Sequence, residues 1–262
     1  MMDVFRLTWN FFRVGAMNEL QYRANFILQL FQSCLTLATG LIGLALVFSY
    51  TNELNGWSRP ELLAVMGVHI LMGGLIRMTI QPNMERLMGD VEDGTLDYVL
   101  TKPADSQVLV SVREIRIWQA ADVLMGSLVV LAAVLQMQTH VGIWETFGFV
   151  AALVMGGMMI YSFWLMLTSG AFWIIRVDNI IQLFDGLYQA GRWPVSIYPD
   201  WLRTTLTFLV PVAFAVTVPA EAITERLTPS ILFGSFVFTA LSLILSRWVW
   251  KIGLRRYSGA SA

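Results

Sequence analysis

Long apolar runs separated by short polar segments dominate the chain. A helix that crosses about 30 Å of hydrocarbon needs about 20 apolar residues. The segments that meet this requirement are 26–48, 62–80, 118–135, 147–175 and 231–250. This pattern predicts an all-α, polytopic integral membrane protein, built as a single transmembrane domain over residues 1–262.

Residues 177–222 do not follow this simple pattern, because polar residues come first and a cluster of prolines follows them. The polar residues are Asp178, Gln182, Asp185 and Gln189, and the prolines are Pro194, Pro199, Pro211 and Pro219. A proline interrupts a helix, since it removes a backbone N–H and clashes with the preceding turn. The segment therefore does not read as one unbroken span.

Two interpretations of this segment stay open. In the first, 177–195 is a fifth span and 201–222 is a proline-broken helical hairpin that dips into the outer leaflet, within an outer re-entrant region of 196–226. In the second, 206–218 is itself the fifth span and 177–198 lies along the inner surface. Both interpretations predict six transmembrane helices and the same orientation.

The orientation follows from the positive charges, because Lys and Arg accumulate on the cytosolic side. Both ends of the chain are basic, which favours an even number of spans with both termini in the cytosol. This arrangement puts thirteen basic residues inside: Arg6, Arg13, Arg23, Arg77, Arg86, Lys102, Arg113, Arg116, Arg176, Arg247, Lys251, Arg255 and Arg256. The four that fall outside are Arg59, Arg192, Arg203 and Arg226.

Residues 1–24 are predicted to form a helix that lies on the inner membrane surface. Phe5, Trp9, Phe12 and Ala16 share one helical stripe, and Arg6 and Arg13 lie on another. A helix with an apolar stripe and a basic stripe is typical of one that lies in the headgroup plane.

Composition excludes several classes of function. Hydrophobic residues make up 56% of the chain, and a net charge of -1 provides no basic excess for nucleic acid. Cys34 is the only cysteine, so an intramolecular disulfide cannot form. Neither His69 nor His140 has a second ligand at metal-binding spacing, and we therefore predict no metal site.

The chain is not predicted to hydrolyse ATP or to be an enzyme of another kind. A Walker A motif needs a Lys after glycine, but Thr101 precedes Lys102 and Trp250 precedes Lys251, and these are the only lysines. The metalloprotease His-Glu-x-x-His and hydrolase Gly-x-Ser-x-Gly motifs do not occur either. We expect no cofactor on this chain.

The predicted cytosolic loop, 82–116, carries many charges and one short apolar stripe. Leu96, Val99 and Leu100 fall at i, i+3 and i+4 of a short helix that Asp93 and Gly94 open and Pro103 ends, and either Asp105 or Ser106 is expected to cap a second helix. The stripe and its charged rim suit a helix that docks into a groove on a soluble partner. A plain structured loop remains an equal alternative.

Three of the ionisable residues within predicted spans are candidates for a function, because such a residue costs about 2.5–3.5 kcal/mol on insertion scales. Arg77 and Asp122 lie at similar depth, so we predict an ion pair between them, with separate snorkelling to the membrane surface as the alternative. Asp185 lies near the midplane, where it is expected to line a translocation path or to contact a partner helix.

Two sequence runs resemble ABC-2 type exporter permeases. Residues 92–103, EDGTLDYVLTKP, resemble the coupling helix between the second and third spans, although Asp97 and Tyr98 depart from the central Glu of that pattern. The resemblance assigns ATPase docking to Glu92, Asp93, Gly94, Thr95, Leu96, Tyr98, Val99, Leu100 and Pro103. Residues 193–202 and 209–211 resemble the outer re-entrant hairpin, which assigns Trp193, Pro194, Tyr198, Pro199, Trp201 and Pro211 to it.

The resemblance implies a transmembrane permease subunit of an ATP-binding cassette exporter in a bacterial inner membrane. Two copies of a cytosolic ATPase would bind ATP and Mg²⁺, and a second permease chain, identical or related, would complete a homo- or heterodimer within the lipid. The alternative is a polytopic membrane protein without transport activity, either a scaffold or an intramembrane enzyme.

Overall fold

A computed structural model describes residues 23–137, 142–172 and 180–257. The ordered elements in these ranges are helical, apart from one isolated bridge between Leu54 and Trp57. Five of the helices are long and apolar enough to cross a membrane. The predicted all-α, polytopic membrane fold is therefore confirmed. Of the interfacial helix predicted over 1–24, only Arg23 and Ala24 fall within the described residues, and they begin the first membrane helix.

The α-helices are α1 (Arg23–Tyr50), α2 (Arg59–Leu75), α3 (Gln81–Glu92), α4 (Asp97–Leu100), α5 (Ser106–Ser111), α6 (Ala120–Met137), α7 (Ile143–Ser169), α8 (Ile180–Ala190), α9 (Asp200–Thr204), α10 (Val218–Ile223) and α11 (Pro229–Arg256). Short 3-10 turns cover Ile117–Gln119, Gly170–Phe172 and Val195–Ile197. Wider π turns cover Ile76–Ile80, Thr205–Leu209 and Ala213–Thr217.

The second span continues well beyond its predicted end. Helical structure runs without a gap over Arg59–Glu92, which is 34 residues, whereas the sequence predicts a span of 62–80. The π turn Ile76–Ile80 ends two residues before Pro82, whose ring blocks an ordinary α-helical bond. A wide turn accommodates this proline without ending the helix. The loop predicted over 82–116 therefore begins as α3, a helical continuation of the membrane span.

Helix α2 lies at the centre of the bundle, and glycines bring it close to α6. A Cβ at Gly67 would lie 2.8 Å from the backbone nitrogen of Val130, and one at Gly74 would lie 2.8 Å from that of Val123. Such contacts are closer than side chains allow, so the two backbones pack directly on one another. Helices α1 and α11 lie at the periphery, where most of their apolar side chains are exposed to the surroundings.

Helix α8 is the helical part of the predicted fifth span 177–195 within the described residues. Its 11 residues are too few to cross a membrane alone, and one of its faces packs on the bundle. The Tyr188 hydroxyl donates a hydrogen bond of 2.8 Å to the backbone carbonyl of His69 in α2. The Phe184 ring lies 4.9 Å from the Trp164 ring of α7, centroid to centroid. These contacts join α8 to α2 and to the C-terminal part of α7.

The proline-rich region folds as two arms, Asp200–Leu209 and Ala213–Ile223, which meet at an angle of 79°. Ser196, before the first arm, accepts hydrogen bonds from Asn55 and from the Trp57 ring nitrogen. Arg226, after the second arm, donates to the carbonyl of Gly56 at 2.6 Å. Both ends of the region thus contact the loop between α1 and α2. These contacts favour a re-entrant hairpin over a membrane span at 206–218.

Candidate functional site

The loop between the second and third long spans turns sharply after α3. Gly94 has a φ of +68°, a left-handed conformation that glycine adopts without steric cost. The backbone amides of Thr95 and Leu96 then donate to the carbonyl of Asp90, at 2.8 and 3.1 Å. Of the two predicted caps for α5, Asp105 is the one used, since its carboxylate accepts hydrogen bonds from two backbone amides of that helix.

The apolar stripe of this loop packs mostly inside the chain. Leu96 is 0% exposed and Val99 is 4% exposed, and both belong to the core that also contains Leu109. The prediction that Leu96, Val99 and Leu100 together face a partner is therefore corrected for the first two residues. They hold the short helix α4 against its neighbours, among them α5, since a four-residue helix is stable only when its apolar side chains are packed.

Of the other predicted docking residues, Gly94 and Thr95 are half-buried. Five are exposed, and we call them the loop face: Glu92, Asp93, Tyr98, Leu100 and Pro103. Tyr98 is 75% exposed and Leu100 is 36% exposed. Large apolar side chains with acidic residues around them are typical of sites that bind another protein.

A network of polar contacts holds the loop rigidly on α3. Arg113 forms a buried ion pair with Asp90 at 2.6 Å, and the Thr95 hydroxyl donates to the same carboxylate. The Asn83 side-chain oxygen accepts hydrogen bonds from the backbone amides of Arg113 and Glu114, at 2.8 and 2.9 Å. These contacts join the two ends of the loop, so its parts are expected to move together.

A second set of contacts ties the loop to α7 and α11. The Arg247 guanidinium binds the Asp105 carboxylate and the Gln107 side-chain oxygen, the latter at 2.7 Å. Gln107 in turn donates to the Tyr161 hydroxyl of α7 at 3.1 Å. The hydrogen bond from Arg247 holds the pKa of Asp105 below its usual value, although partial burial acts in the opposite direction. Asp105 thus remains an acceptor for Arg247 at neutral pH.

Within the membrane-spanning region, the contact predicted between Arg77 and Asp122 is present. The Arg77 Nη2 atom lies 2.8 Å from Asp122 Oδ2, and Arg77 Nε donates to the Gln119 side-chain oxygen at 3.2 Å. Asp122 also accepts hydrogen bonds from the Gln29 amide, at 3.1 Å, and from the Ser33 hydroxyl. The pair therefore belongs to a network that joins α1, α2 and α6.

This network borders a polar cavity of about 300 Å³. Asp185 and Gln189 of α8 line the cavity together with Gln32 and Thr36 of α1. His69 of α2, which is only 5% exposed, lines it as well. The third predicted intramembrane residue, Asp185, thus lies in the same cavity as Arg77 and Asp122.

The α1 residues of this cavity were missed by the sequence reasoning. Gln29, Gln32, Ser33 and Thr36 are spaced at i, i+3, i+4 and i+7, which places them on one face of a helix. A polar stripe on a membrane helix usually faces the bundle interior or water. This spacing could have identified the polar face of α1 from the sequence alone.

The re-entrant hairpin brings its predicted residues into different environments. Pro194 and Pro211 are buried, whereas Pro199 and Trp201 are exposed, and the Tyr198 hydroxyl donates to a backbone carbonyl of α8 at 2.8 Å. Trp193 is half-buried against the core.

The turn of the hairpin reaches deep into the bundle. A Cβ at Gly156 of α7 would lie 2.5 Å from the carbonyl oxygen of Phe214, just beyond the turn. After the second arm of the hairpin, Arg226 donates to the Glu61 carboxylate at 2.9 and 3.0 Å. Its guanidinium carbon lies 4.6 Å from the centroid of the Trp57 ring. The hairpin is therefore anchored both at its turn and at its exit.

Together, these features define a polytopic helical membrane protein. At one end it has the loop that the Asp90–Arg113 and Asp105–Arg247 ion pairs hold in place, and at the other it has a re-entrant hairpin. Residues 34–261 match a family model described as ABC-2 family transporter protein. The chain therefore belongs to the ABC-2 transporter family and is a transporter permease, a class that associates with an ABC ATPase and is normally not itself an enzyme. No curated protein and no solved structure matches the chain.

Proposed function

We propose that this permease is the membrane subunit of an exporter in a bacterial inner membrane, driven by separate cytosolic ATPase subunits that dock on the loop face. The single observation that supports docking is the exposure of Tyr98 and Leu100 on a loop that is otherwise locked into the bundle. The described part of the chain leaves these two apolar side chains uncovered, which is unfavourable in water. A groove on a soluble protein would bury them.

The route from this surface to the membrane supports a rigid coupling mechanism. Helix α3 continues the span of α2, so a displacement of the loop would act directly on the central helix of the bundle. The ion pair between Asp90 and Arg113 would prevent the loop from bending independently. ATP and Mg²⁺ would be bound by the two ATPase subunits, since this sequence contains no Walker A motif. Closure of the ATPases would then tilt α2 as a packed unit.

The rest of the assembly belongs to the same proposal. A second permease chain, identical or related, would complete the pathway in the lipid bilayer. Both termini would lie in the cytosol, because that orientation puts thirteen basic residues, including Lys102 in the loop, on the inner side. The hairpin at the opposite end would then close the outer exit.

Replacing Tyr98 and Leu100 together by alanine tests the docking surface. The two side chains are exposed, so the variant is expected to insert and to unfold at the wild-type temperature. Loss of two central apolar contacts is expected to weaken ATPase association by about tenfold or more. Co-purification with the ATPase and the ATP hydrolysis rate of the complex provide the measurements.

Tyr50→Ala is the matched control, because Tyr50 is 88% exposed and ends α1 at the opposite end of the bundle. It is expected to leave association unchanged. Wild-type yield of the complex and wild-type hydrolysis in Tyr98→Ala/Leu100→Ala would reject the docking role.

A further inference from the structure

The polar cavity gathers polar side chains from several helices of the membrane-spanning region. On α1, Gln32 and Thr36 are exposed to the cavity rather than paired with a neighbouring helix. On α8, Asp185 and Gln189 lie one helical turn apart and line the same space. Polar residues at this depth usually serve a ligand or an ion path.

The charges within the cavity do not balance. Arg77 and Asp122 neutralise one another at 2.8 Å, and hydrogen bonds from α1 further satisfy Asp122. Asp185 is only half-buried and has neither a hydrogen bond nor an ion pair with any residue of the described ranges. Among the lining residues of this cavity, Arg77 is the one Lys or Arg and Asp122 and Asp185 are the two carboxylates, so the lining has one carboxylate in excess.

We propose that this cavity binds the cationic group of a small organic amine or quaternary ammonium compound. The Asp185 carboxylate would supply the counter-charge, and the side-chain oxygens of Gln32 and Gln189 would accept hydrogen bonds or solvate the cation. An anion would instead face Asp185 at close range, and Arg77 is already shared between Asp122 and Gln119. A volume of about 300 Å³ is at the lower end for small-molecule sites, so the bound group is compact.

As a cargo site, the cavity rests on the proposed export function, but its binding chemistry can be measured on the permease alone. The two proposals therefore fail independently. Loss of ATPase docking would leave cation binding intact, and absence of cation binding would leave the docking proposal standing.

Two ligands of equal shape isolate the contribution of charge. Benzyltrimethylammonium is a compact cation, and neopentylbenzene is its neutral carbon analogue. Titration of the detergent-purified, full-length permease is expected to show saturable binding of the cation, about tenfold or more tighter than that of the analogue. Asp185→Asn keeps the side-chain shape and removes the charge, so it is expected to abolish this preference, and Asp185→Glu is expected to restore it in part.

Glu53→Gln is the matched control variant, because this carboxylate lies in the loop between α1 and α2 and does not line the cavity. It is expected to bind the cation as the wild type does. Gln32→Leu provides a second test through an uncharged lining residue, with weaker cation binding as the expected result. Equal binding of the two ligands, or unchanged cation preference in Asp185→Asn, would overturn the proposal. Tighter binding of phenylacetate than of the cation would overturn the charge assignment.

Discussion

Asp122 receives hydrogen bonds from three different side chains on two helical segments, and this decides how its pair with Arg77 is to be tested. Gln29 and Ser33 of α1 donate to the carboxylate in addition to Arg77. An exchange of the two charges would place a guanidinium among these donors. The exchanged protein is therefore expected to fail for reasons unrelated to the pair, and neutral apolar substitutions are the better probe.

A double-mutant cycle of Arg77→Leu and Asp122→Leu is expected to reveal coupling between the two residues. Asp122→Leu should lower the unfolding temperature more, because it removes the acceptor that Gln29, Ser33 and Arg77 share, whereas Arg77→Leu leaves Asp122 with its α1 donors. Since Arg77 is partly exposed, we expect a coupling of about 1 kcal/mol. Thermal unfolding of the purified single and double variants measures it, and additive losses would show that the contact contributes no stability.

At the scale of elements, close backbone approach determines where the hairpin sits against the long helices. Gly156 and Gly157 are neighbours in α7, but only Gly156 faces the hairpin. A Cβ at Gly156 would lie 2.5 Å from the Phe214 carbonyl oxygen and 2.6 Å from the Ala215 Cα, whereas one at Gly157 would meet nothing within 4 Å. Adjacent glycines thus have different roles because successive positions of a helix point about 100° apart.

Gly156→Ala is expected to destabilise the protein by about 1–3 kcal/mol, since backbone atoms of the hairpin must move to accept the methyl group. Gly157→Ala is expected to be neutral or slightly stabilising, because alanine has the higher helix propensity and finds open space there. Thermal unfolding of the two purified variants, compared directly, checks this expectation. Equal unfolding temperatures would argue against close packing of the hairpin on α7.

At the scale of the whole molecule, the contacts of the loop between α1 and α2 define one end of the bundle. Ser196 and Arg226, which flank the hairpin, both contact this loop. The loop that contains Lys102 follows α3 and lies at the other end. If the termini lie in the cytosol, the hairpin must enter and leave from the outside.

Cysteine labelling of intact cells is expected to distinguish the two ends in a Cys34→Ser background. Asp200→Cys, at the start of the hairpin, and Ser230→Cys, after it, should both react with a membrane-impermeant maleimide, because both residues are exposed and the proposed orientation places them outside. Lys102→Cys should react only after the membrane is permeabilised. Reaction of Lys102→Cys in intact cells would show that the orientation is the reverse of the proposed one. Labelling of only one of the two hairpin positions would show that the hairpin crosses the membrane.

Much of the fold was predictable from the sequence, because the length and hydropathy of a span are properties of a continuous segment. The five long helices follow from the apolar runs, although Arg59–Glu92 extends beyond its predicted end, since charged residues do not stop a helix outside the membrane. The position of the loop and of the proline-rich region could also be read from local patterns. The pairing of Arg77 with Asp122 followed from equal depth alone.

Only the tertiary structure decided which side of each element faces which neighbour. The i, i+3, i+4 stripe predicted an outward surface, but Leu96 and Val99 are buried in the core. Leu100 is the stripe residue that stays exposed, and Tyr98, which lies off the stripe, is more exposed still. The polar cavity likewise required α1, α2, α6 and α8 to meet, because no single helix contains a complete site. Periodicity determines that a helix has a face. The packing of distant segments determines whether that face meets the protein's own core, the lipid or a partner.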